Sequence, residues 1–567
     1  MILDLSINGK LELNEALLLN QITEENRKAY IDFIAKLSEP HNLNLDWWAD
    51  EPVGRNTLTD PLFYYICRIE LLKKIIQSKK NIDEIIIDSK SLKKIVKNIL
   101  KSENLNSKIT FKSTYINKLK NFLRSIYNIF SVILYYSAQF YFAKKTLIKR
   151  NNPLTPMILI DNYVIPNFID IDRVYTNLWE NLNNDQKKEI YFVTNIFSFK
   201  IFRLKKIYQD LRTSKKNILL KEDYLTISDY IYAFLHCIRI LKIKIQNADF
   251  NNVDYSQIIY ENFRTFKTYN ASVLALLNNR FVKKLKKINY PVKKVINRFE
   301  NQIIDKGWNG AFKKYFPKVD VIGYQGFVMP PNYLCGYPTK HEQQNNKLPN
   351  KIALMGQGHI DIKKEFCEDL NFVIAPAFAF QWLWEERVNY PDSNYFTILV
   401  ALPGPFEESR RILHFLNNNL QNINLKSNLR IWIKTHPTSS LLLLYKNFDK
   451  NWPINFEFVD ENYTNLVDKS DLVIGSQSSV CLEVIARGIP VIVPGNPNGI
   501  TQNPIPLSIK DKIWSLCYTR EDLIKAIKMY EDRSIIKIKE YKNMGNNIRE
   551  KFFTNLNEAT MKNFFGN

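Results

Sequence analysis

From about residue 350 onward, short apolar runs alternate with longer amphipathic stretches. The runs are Ile352–Met355, Phe372–Ile374, Thr397–Leu402, Leu429–Lys434, Phe456–Val459, Leu472–Ile474 and Pro490–Val493. Each has strand length and is rich in β-branched or aromatic residues. Between them, Glu407–Asn418, Ser439–Asn447, Tyr463–Lys469, Ser479–Arg487 and Arg520–Tyr530 carry apolar residues at helical spacing. Strands alternating with helices predict a parallel sheet covered on both faces, hence an α/β domain.

The first half is more helical but keeps a similar rhythm. Asp60–Ser78, Leu92–Leu100 and Tyr224–Gln246 read as helices; Glu84–Ile87, Met157–Asp161 and Glu189–Val193 read as strands. A chain of 567 residues exceeds what one core usually supports, so two domains facing a cleft are expected. The polar, aperiodic stretch KHEQQNNKLPN at Lys340–Asn350 marks their boundary. The expected plan is an N-terminal domain at 1–345 with a helical, basic insertion at about 114–150. A C-terminal domain follows at 346–534, then a basic helical tail at 535–567 that crosses back toward the first domain.

Composition narrows the partners. The chain is 45% apolar, enough for large cores, and 79 Lys and Arg against 57 Asp and Glu leave a net charge of +22. Such a balance favours an anionic partner. No RNP, KH, zinc or helix-turn-helix signature is present, so nucleic acid is not the expected one. The six cysteines are scattered without a CxxC pair, which predicts neither a metal nor a disulfide framework and fits a reducing compartment. The opening MILDLSINGKLELNE lacks the features of a secretory signal. Residues 122–142, FLRSIYNIFSVILYYSAQFYF, are apolar and aromatic between lysines (Lys118, Lys120, Lys144, Lys145, Lys149) but contain Arg124 and several polar groups. That composition suits a helix lying on an anionic membrane surface, or a buried one, better than a spanning helix. The expected location is cytoplasmic, peripheral at the inner membrane.

The densest chemistry lies between Leu429 and Pro494. LRIWIKTHP brings His436 and Pro437 to the end of a strand, and Pro437 holds the residue before it extended. DLVIGSQSSVCLEVIARGIPVIVPG supplies a strand, a polar turn of Gly475, Ser476, Gln477, Ser478 and Ser479, a helix and another strand. A helix N-terminus with Ser hydroxyls is suited to a phosphate, and Glu483 lies about one turn inside. Upstream, RFENQIIDKGWNGAFKKYFPKVDVIGYQGFVMPP concentrates carboxylates, glycines and Trp308 between Arg298 and Pro331. A literal DxD occurs at Asp170–Ile171–Asp172, far in sequence from the His-Pro and Ser-Ser pair. No essential metal is expected.

The pair KTHP and GSQSS-V-LE resembles the His-Pro and Ser-Ser motifs of bacterial GT-B enzymes that use CMP-activated nonulosonic acids, namely sialyltransferases, polysialyltransferases and capsule Kdo transferases. The likeness covers chiefly residues 396–495. It implies two Rossmann-like domains and a CMP-sugar donor. The acceptor it implies is a glycan or lipid-linked glycan of capsule, O-antigen or lipooligosaccharide, and it implies no bound cofactor. It assigns His436 to the nucleotide leaving group, Ser478 and Ser479 to the phosphate (Ser476 is a further candidate from its place in the same turn), Glu483 to the ribose and the Gly404 loop (with Pro403) to the donor. The region around Arg298–Pro331 and the cluster DWWADEPVGRNTLTDPLF (Asp46–Phe63) resemble surface-carbohydrate biosynthesis proteins. An inverting member needs a carboxylate base, for which Glu300 is the first candidate and Asp305 the second. A polyol-phosphate transferase using a CDP-linked donor is the alternative; a sugar-nucleotide 2-epimerase is a more distant one.

Overall fold

The computed structural model describes every residue except 8, 113–114, 149–154, 167, 170–172, 388–389, 421–427, 438–455, 511 and 567. The DxD string and the helix expected at Ser439–Asn447 therefore lie outside the described residues, as do Lys118 (its side chain) and Lys149.

Three parallel sheets organise the chain. A small one comes first, with strands β1 (Ile2–Asp4), β2 (Glu84–Ile87) and β3 (Lys108–Phe111) in that spatial order. Helices Leu13–Ser38, Leu62–Gln77 and Lys90–Ser102 pack with it around a core that includes Tyr30, Trp47, Trp48 and Phe63. The second sheet is built from β4 (Met157–Val164), β5 (Ile190–Ile196) and β6 (Ile218–Leu219). A short antiparallel pair, β7 (Asp249–Phe250) and β8 (Val253–Asp254), intervenes. The sheet continues with β9 (Val292–Arg298), β10 (Asp320–Gln325), β11 (Lys351–Leu354) and β12 (Phe372–Ile374). Its order is β12-β11-β10-β9-β4-β5-β6. The third contains β13 (Tyr395–Ala401), β14 (Asn428–Lys434), β15 (Phe456–Phe458), β16 (Leu472–Gly475), β17 (Val491–Pro494) and β18 (Trp514–Cys517), in the order β15-β14-β13-β16-β17-β18.

Both large sheets are wound the same way. The first strand lies centrally, two strands step outward on one side, and the chain then returns to the first strand's other edge. The winding reverses between β4 and β9, and again between β13 and β16. In such sheets a crevice opens at this reversal, beyond the carboxyl ends of the strands. Burial explains the strands: Ile398, Leu399 and Val400 of β13 are all fully buried, as a strand covered on both faces requires.

Three expectations change. The boundary near 345 falls inside the second sheet, because Ile322 pairs with Lys351 and Leu354 with Ile374. The third sheet starts only at Tyr395. An apolar run reports burial, not which sheet it joins. The polar stretch thought to be a linker contains the capped turn of helix Lys340–Gln344, whose Glu342 is buried. The single helix expected at Tyr224–Gln246 is broken into Ile227–Phe234, His236–Arg239 and a 3-10 turn at Ile240–Lys242. The break sets His236 between Asp46 and Asp50, 2.7 and 2.8 Å from its ring nitrogens.

The region of the basic insertion forms one helix, Tyr115–Lys145, which buries Val132, Tyr136, Gln139 and Ala143. Among the described residues no helix is long and apolar enough to cross a membrane. At the C-terminus, helix Ile535–Phe552 packs on Val480–Ala486, and helix Glu558–Phe565 reaches the second sheet. There Phe564 meets Tyr324 and Phe378 at ring distances of 5.3 and 5.0 Å. The first lobe also touches the third sheet's domain: Thr501 N–H donates to Asn20 Oδ1 at 2.7 Å, and Gln502 Nε2 to Tyr64 OH at 3.1 Å.

Candidate active site

Three adjacent strands of the third sheet end at one level, since Ala401 of β13 pairs with Lys434 of β14 and with Gly475 of β16. Neighbouring strands lie about 4.8 Å apart. The turns that follow therefore stand side by side: Leu402–Gly404 in the middle, His436–Pro437 on one flank and Ser476–Ser479 on the other. Gly475 permits the tight passage from strand to helix, because a Cβ there would lie 2.9 Å from Cys481 Sγ.

The serines of this turn have different partners. Ser476 is buried and its hydroxyl donates to Glu408 Oε1 at 2.6 Å. Arg411 grips the same carboxylate at 2.7 and 2.8 Å and reaches the carbonyl of Gly495 at 2.7 Å. Burial pushes the Glu408 carboxyl up, but Arg411 and Ser476 outweigh it and hold the group below its usual range. In this structure the Ser476 proton is given to Glu408. That contact braces the helix after Gly404 against the Ser476–Ser479 turn. Ser478 Oγ accepts a long bond from Val480 N–H at 3.4 Å, and the Ser479 side chain makes no capping bond.

Glu483 is buried behind this turn. Burial pushes its carboxyl up to about 7, although Ser479, Trp382 and Arg173 each draw it back. His436 is half-buried; burial lowers its pKa and the charge of Arg173 lowers it further, so the imidazole is neutral at physiological pH. Pro437 beside it is exposed.

Opposite, the reversal point of the second sheet holds a cavity of about 370 Å³ at the carboxyl ends of β4, β5 and β9. Tyr163 and Phe197 form one side, stacked with ring centres 5.1 Å apart, and Arg298 lies over Tyr163 at 4.7 Å. Glu300 faces the cavity with both oxygens engaged. Arg298 Nη2 donates to Oε1 at 2.6 Å, while Gln302 Nε2 and Tyr333 OH donate to Oε2 at 2.5 and 3.3 Å. Asp305 also lines the cavity, but it serves as a helix cap. Its Oδ2 accepts the N–H groups of Glu300 and Gln302 at 3.0 and 2.9 Å. Burial, then the nearby Glu300, push its carboxyl up to about 8.

The loop carrying Glu300 rests on a buried ionic knot. Arg55 and Lys306 approach Glu342 at 3.0 and 3.1 Å, and Asn301 donates to the same carboxylate. These two cations hold the Glu342 carboxyl down at about 2 against the effect of burial. The cluster Asp46–Phe63 supplies Arg55, so it supports the Glu300 loop from behind.

Arg173 is placed between the two walls. It lines the cavity beside Arg298 and Glu300, and its charge is also felt by His436 and Glu483 of the opposite domain.

The sequence matches no family model and no curated protein. Solved structures similar in chain arrangement include an α,α-trehalose 6-phosphate synthase from Burkholderia multivorans (9% identity, 70% of this chain and 94% of that one, TM-score 0.42). MurG of Acinetobacter baumannii (11%, 72% and 98%, TM-score 0.40) is another. So is S. aureus MnaA with UDP (10%, 72% and 95%, TM-score 0.40). Two doubly wound parallel sheets, a cleft at their reversal points and a tail crossing back define the architecture. The fold is GT-B.

Within this GT-B frame, Gly404, His436, Pro437, Ser478, Ser479 and Glu483 share the C-terminal wall, and Glu300 and Asp305 share the N-terminal one. His359 packs against Phe552 of the tail with ring centres 5.2 Å apart. Trp384 also serves the tail, donating to the Phe553 carbonyl at 2.9 Å. Sequence reasoning missed Arg173, Tyr163, Gln302 and Glu408. Arg173 directly follows the DxD string, and Glu408 sits in the first helical turn after the Gly404 loop, so position alone was the available signal for both.

Proposed function

We propose that this chain is a glycosyltransferase that moves a nonulosonic acid from a CMP-linked donor to a hydroxyl of a surface glycan or lipid-linked glycan. The observation that carries the reading is the opposition of two built sites across one cleft. One is a turn with Ser478, Ser479, His436 and Glu483 at adjacent strand ends. The other is a cavity with a positioned carboxylate, Glu300. The KTHP and GSQSS motifs support the choice of a CMP-linked sugar within that reading.

In an inverting displacement the acceptor hydroxyl attacks the anomeric carbon as the bond to the phosphate oxygen breaks. Glu300 takes the hydroxyl proton; its oxygens are held by Arg298, Gln302 and Tyr333 in one orientation, as a general base requires. Asp305 already uses Oδ2 as a cap and keeps its proton up to about pH 8, so it orients the Glu300 loop. Charge develops on the departing phosphate, where the helix N-terminus, the hydroxyls of Ser478 and Ser479 and the imidazole of His436 oppose it. Arg173 adds a positive charge to the same space. Glu483 is suited to a ribose hydroxyl and Gly404 to close approach of the donor.

Transfer of a labelled nonulosonic acid from its CMP donor to a glycan acceptor tests the reading. The expected result is transfer by the wild type and loss of about 10²–10³ in rate for His436→Ala. Turnover with a CDP-linked polyol and none with any CMP-sugar would reassign the group transferred.

A further inference from the structure

We infer that one face of the N-terminal domain docks on an anionic lipid bilayer, and that two helices build it. The first is Tyr115–Lys145, whose outward stripe is Leu123, Tyr127, Phe130, Leu134 and Tyr141, each 55–73% exposed. The spacing of four, three, four and seven residues is that of one helical face. The second lies in the broken helical segment that follows residue 226. There Ile227, Ile231, Leu235, Ile238 and Leu241 are 45–66% exposed, again at intervals of three and four. Single exposed apolar residues are ordinary, but two such stripes are not.

The stripes belong to one surface. Both helices pack on the inner helix Tyr269–Lys287, and they touch each other through Phe140 and Tyr230 at a ring distance of 4.9 Å. Both therefore pack on the same inner helix, and the stripes are residues that this packing leaves exposed. Phe202 adds to the surface at 73% exposure, on a turn that packs against the first helix.

Charge selects the occupant. Residues 115–148, 199–209 and 230–246 contain no Asp or Glu, and Asp229, the one acid between Ile227 and Leu241, is buried against Arg280 and Lys284. Lys200, Arg203, Lys205 and Lys206 surround Phe202 and are exposed, as are Lys120, Arg124 and Lys145 on the long helix, and Lys242 and Lys244 beyond the second stripe. An apolar face with a cationic rim matches the interface of an anionic membrane, where basic groups near the surface strengthen binding. The face lies beside the cavity: Gln139 of the long helix donates to the Ile196 carbonyl at 2.9 Å, and the next residues, Phe197 and Ser198, line that cavity. On the proposed reaction, which the docking does not depend on, a lipid-linked acceptor would arrive next to Glu300.

Flotation of the full chain with two kinds of vesicle tests the inference: phosphatidylglycerol mixed with phosphatidylethanolamine, and phosphatidylcholine alone. The wild type should float with the anionic vesicles, and less so as salt is raised. The double variants Tyr127→Ser/Phe130→Ser and Ile231→Ser/Leu235→Ser should each weaken binding about tenfold or more. Their melting temperatures and nucleotide binding should match the wild type, because the four side chains are exposed. Failure to float with anionic vesicles overturns the inference. So does binding that survives both double variants, or a concentration-dependent dimer that the variants abolish in a protein that ignores vesicles.

Discussion

Glu300 and Asp305 are near neighbours with opposite fates, and the difference lies in what their oxygens touch. Glu300→Gln keeps the shape and hydrogen-bonding reach of the side chain but cannot take a proton. It should lower transfer by about 10²–10⁴ while nucleotide affinity stays the same; near-normal turnover would remove Glu300 as the base. Asp305 titrates near 8 when folded and at the ordinary aspartate value when unfolded. Between about pH 4 and about pH 8 the unfolded chain has lost a proton that the folded chain retains, so stability falls as pH rises through that window. Asp305→Asn keeps an acceptor for the two N–H groups and removes the titration. The melting temperature of the wild type should drop more than that of Asp305→Asn across this range; parallel curves would contradict the assignment. At this scale the sequence was legible in placement: His436, Ser478, Ser479 and Glu483 come together at adjacent strand ends, as the two motifs led one to expect. It was not legible where a partner lies far along the chain. Ser476 is taken by Glu408, 68 residues away, and spacing within a motif is blind to such a contact.

At the scale of elements, the strands of the third sheet could be read because β13, β16 and β17 are buried on both faces. The strand Val292–Arg298 (VKKVINR) could not, since its two lysines interrupt the apolar pattern. The broken helix after residue 226 was hidden for another reason. Its periodicity continues past the break, where His236 starts a new turn between the distant carboxylates of Asp46 and Asp50. Burial opposes the charge on His236, but Asp46 and Asp50 outweigh it and raise its pKa to about 9. The stabilisation is thus present below about pH 6.5 and is lost as pH rises through 9. His236→Ala leaves two buried carboxylates without their partner and should cost about 3–5 kcal/mol in chemical denaturation; a change under 1 kcal/mol, the size of an exposed ion pair, would contradict the buried pairing. Helix packing offers a paired test. A Cβ at Gly307 would lie 2.3 Å from the Ala275 carbonyl oxygen, whereas one at Gly310 meets nothing closer than Lys347 Nζ at 3.4 Å. Gly307→Ala must separate helices Ile303–Tyr315 and Tyr269–Lys287 and should cost about 1–3 kcal/mol. Gly310→Ala, on the same helix, should be neutral or stabilising by up to about 1 kcal/mol. Equal effects of the two would refute the close approach.

At the scale of the molecule, the strand–helix rhythm was enough to expect two wound domains and a cleft. The allotment of strands to sheets was not available, because β11 and β12 look like their neighbours in sequence and differ only in pairing. The small first sheet was likewise invisible as a separate lobe. That lobe steadies the Ser476–Ser479 turn: Gln477 N–H donates to the Gln502 carbonyl at 3.0 Å, and Gln502 is in turn held by Tyr64.

The central claim is that the turn at Ser478–Ser479, with His436, holds a cytidine nucleotide. Thermal shift of the wild type and Ser479→Ala against CMP, CDP, UDP and GDP tests it most directly. A ligand at a hundred times its dissociation constant stabilises the folded state by about 2.7 kcal/mol, enough to raise the melting temperature measurably. The account predicts a rise with cytidine nucleotides alone, much reduced in Ser479→Ala. A response to UDP or GDP but not CMP, or a CMP response that Ser479→Ala leaves unchanged, would contradict it.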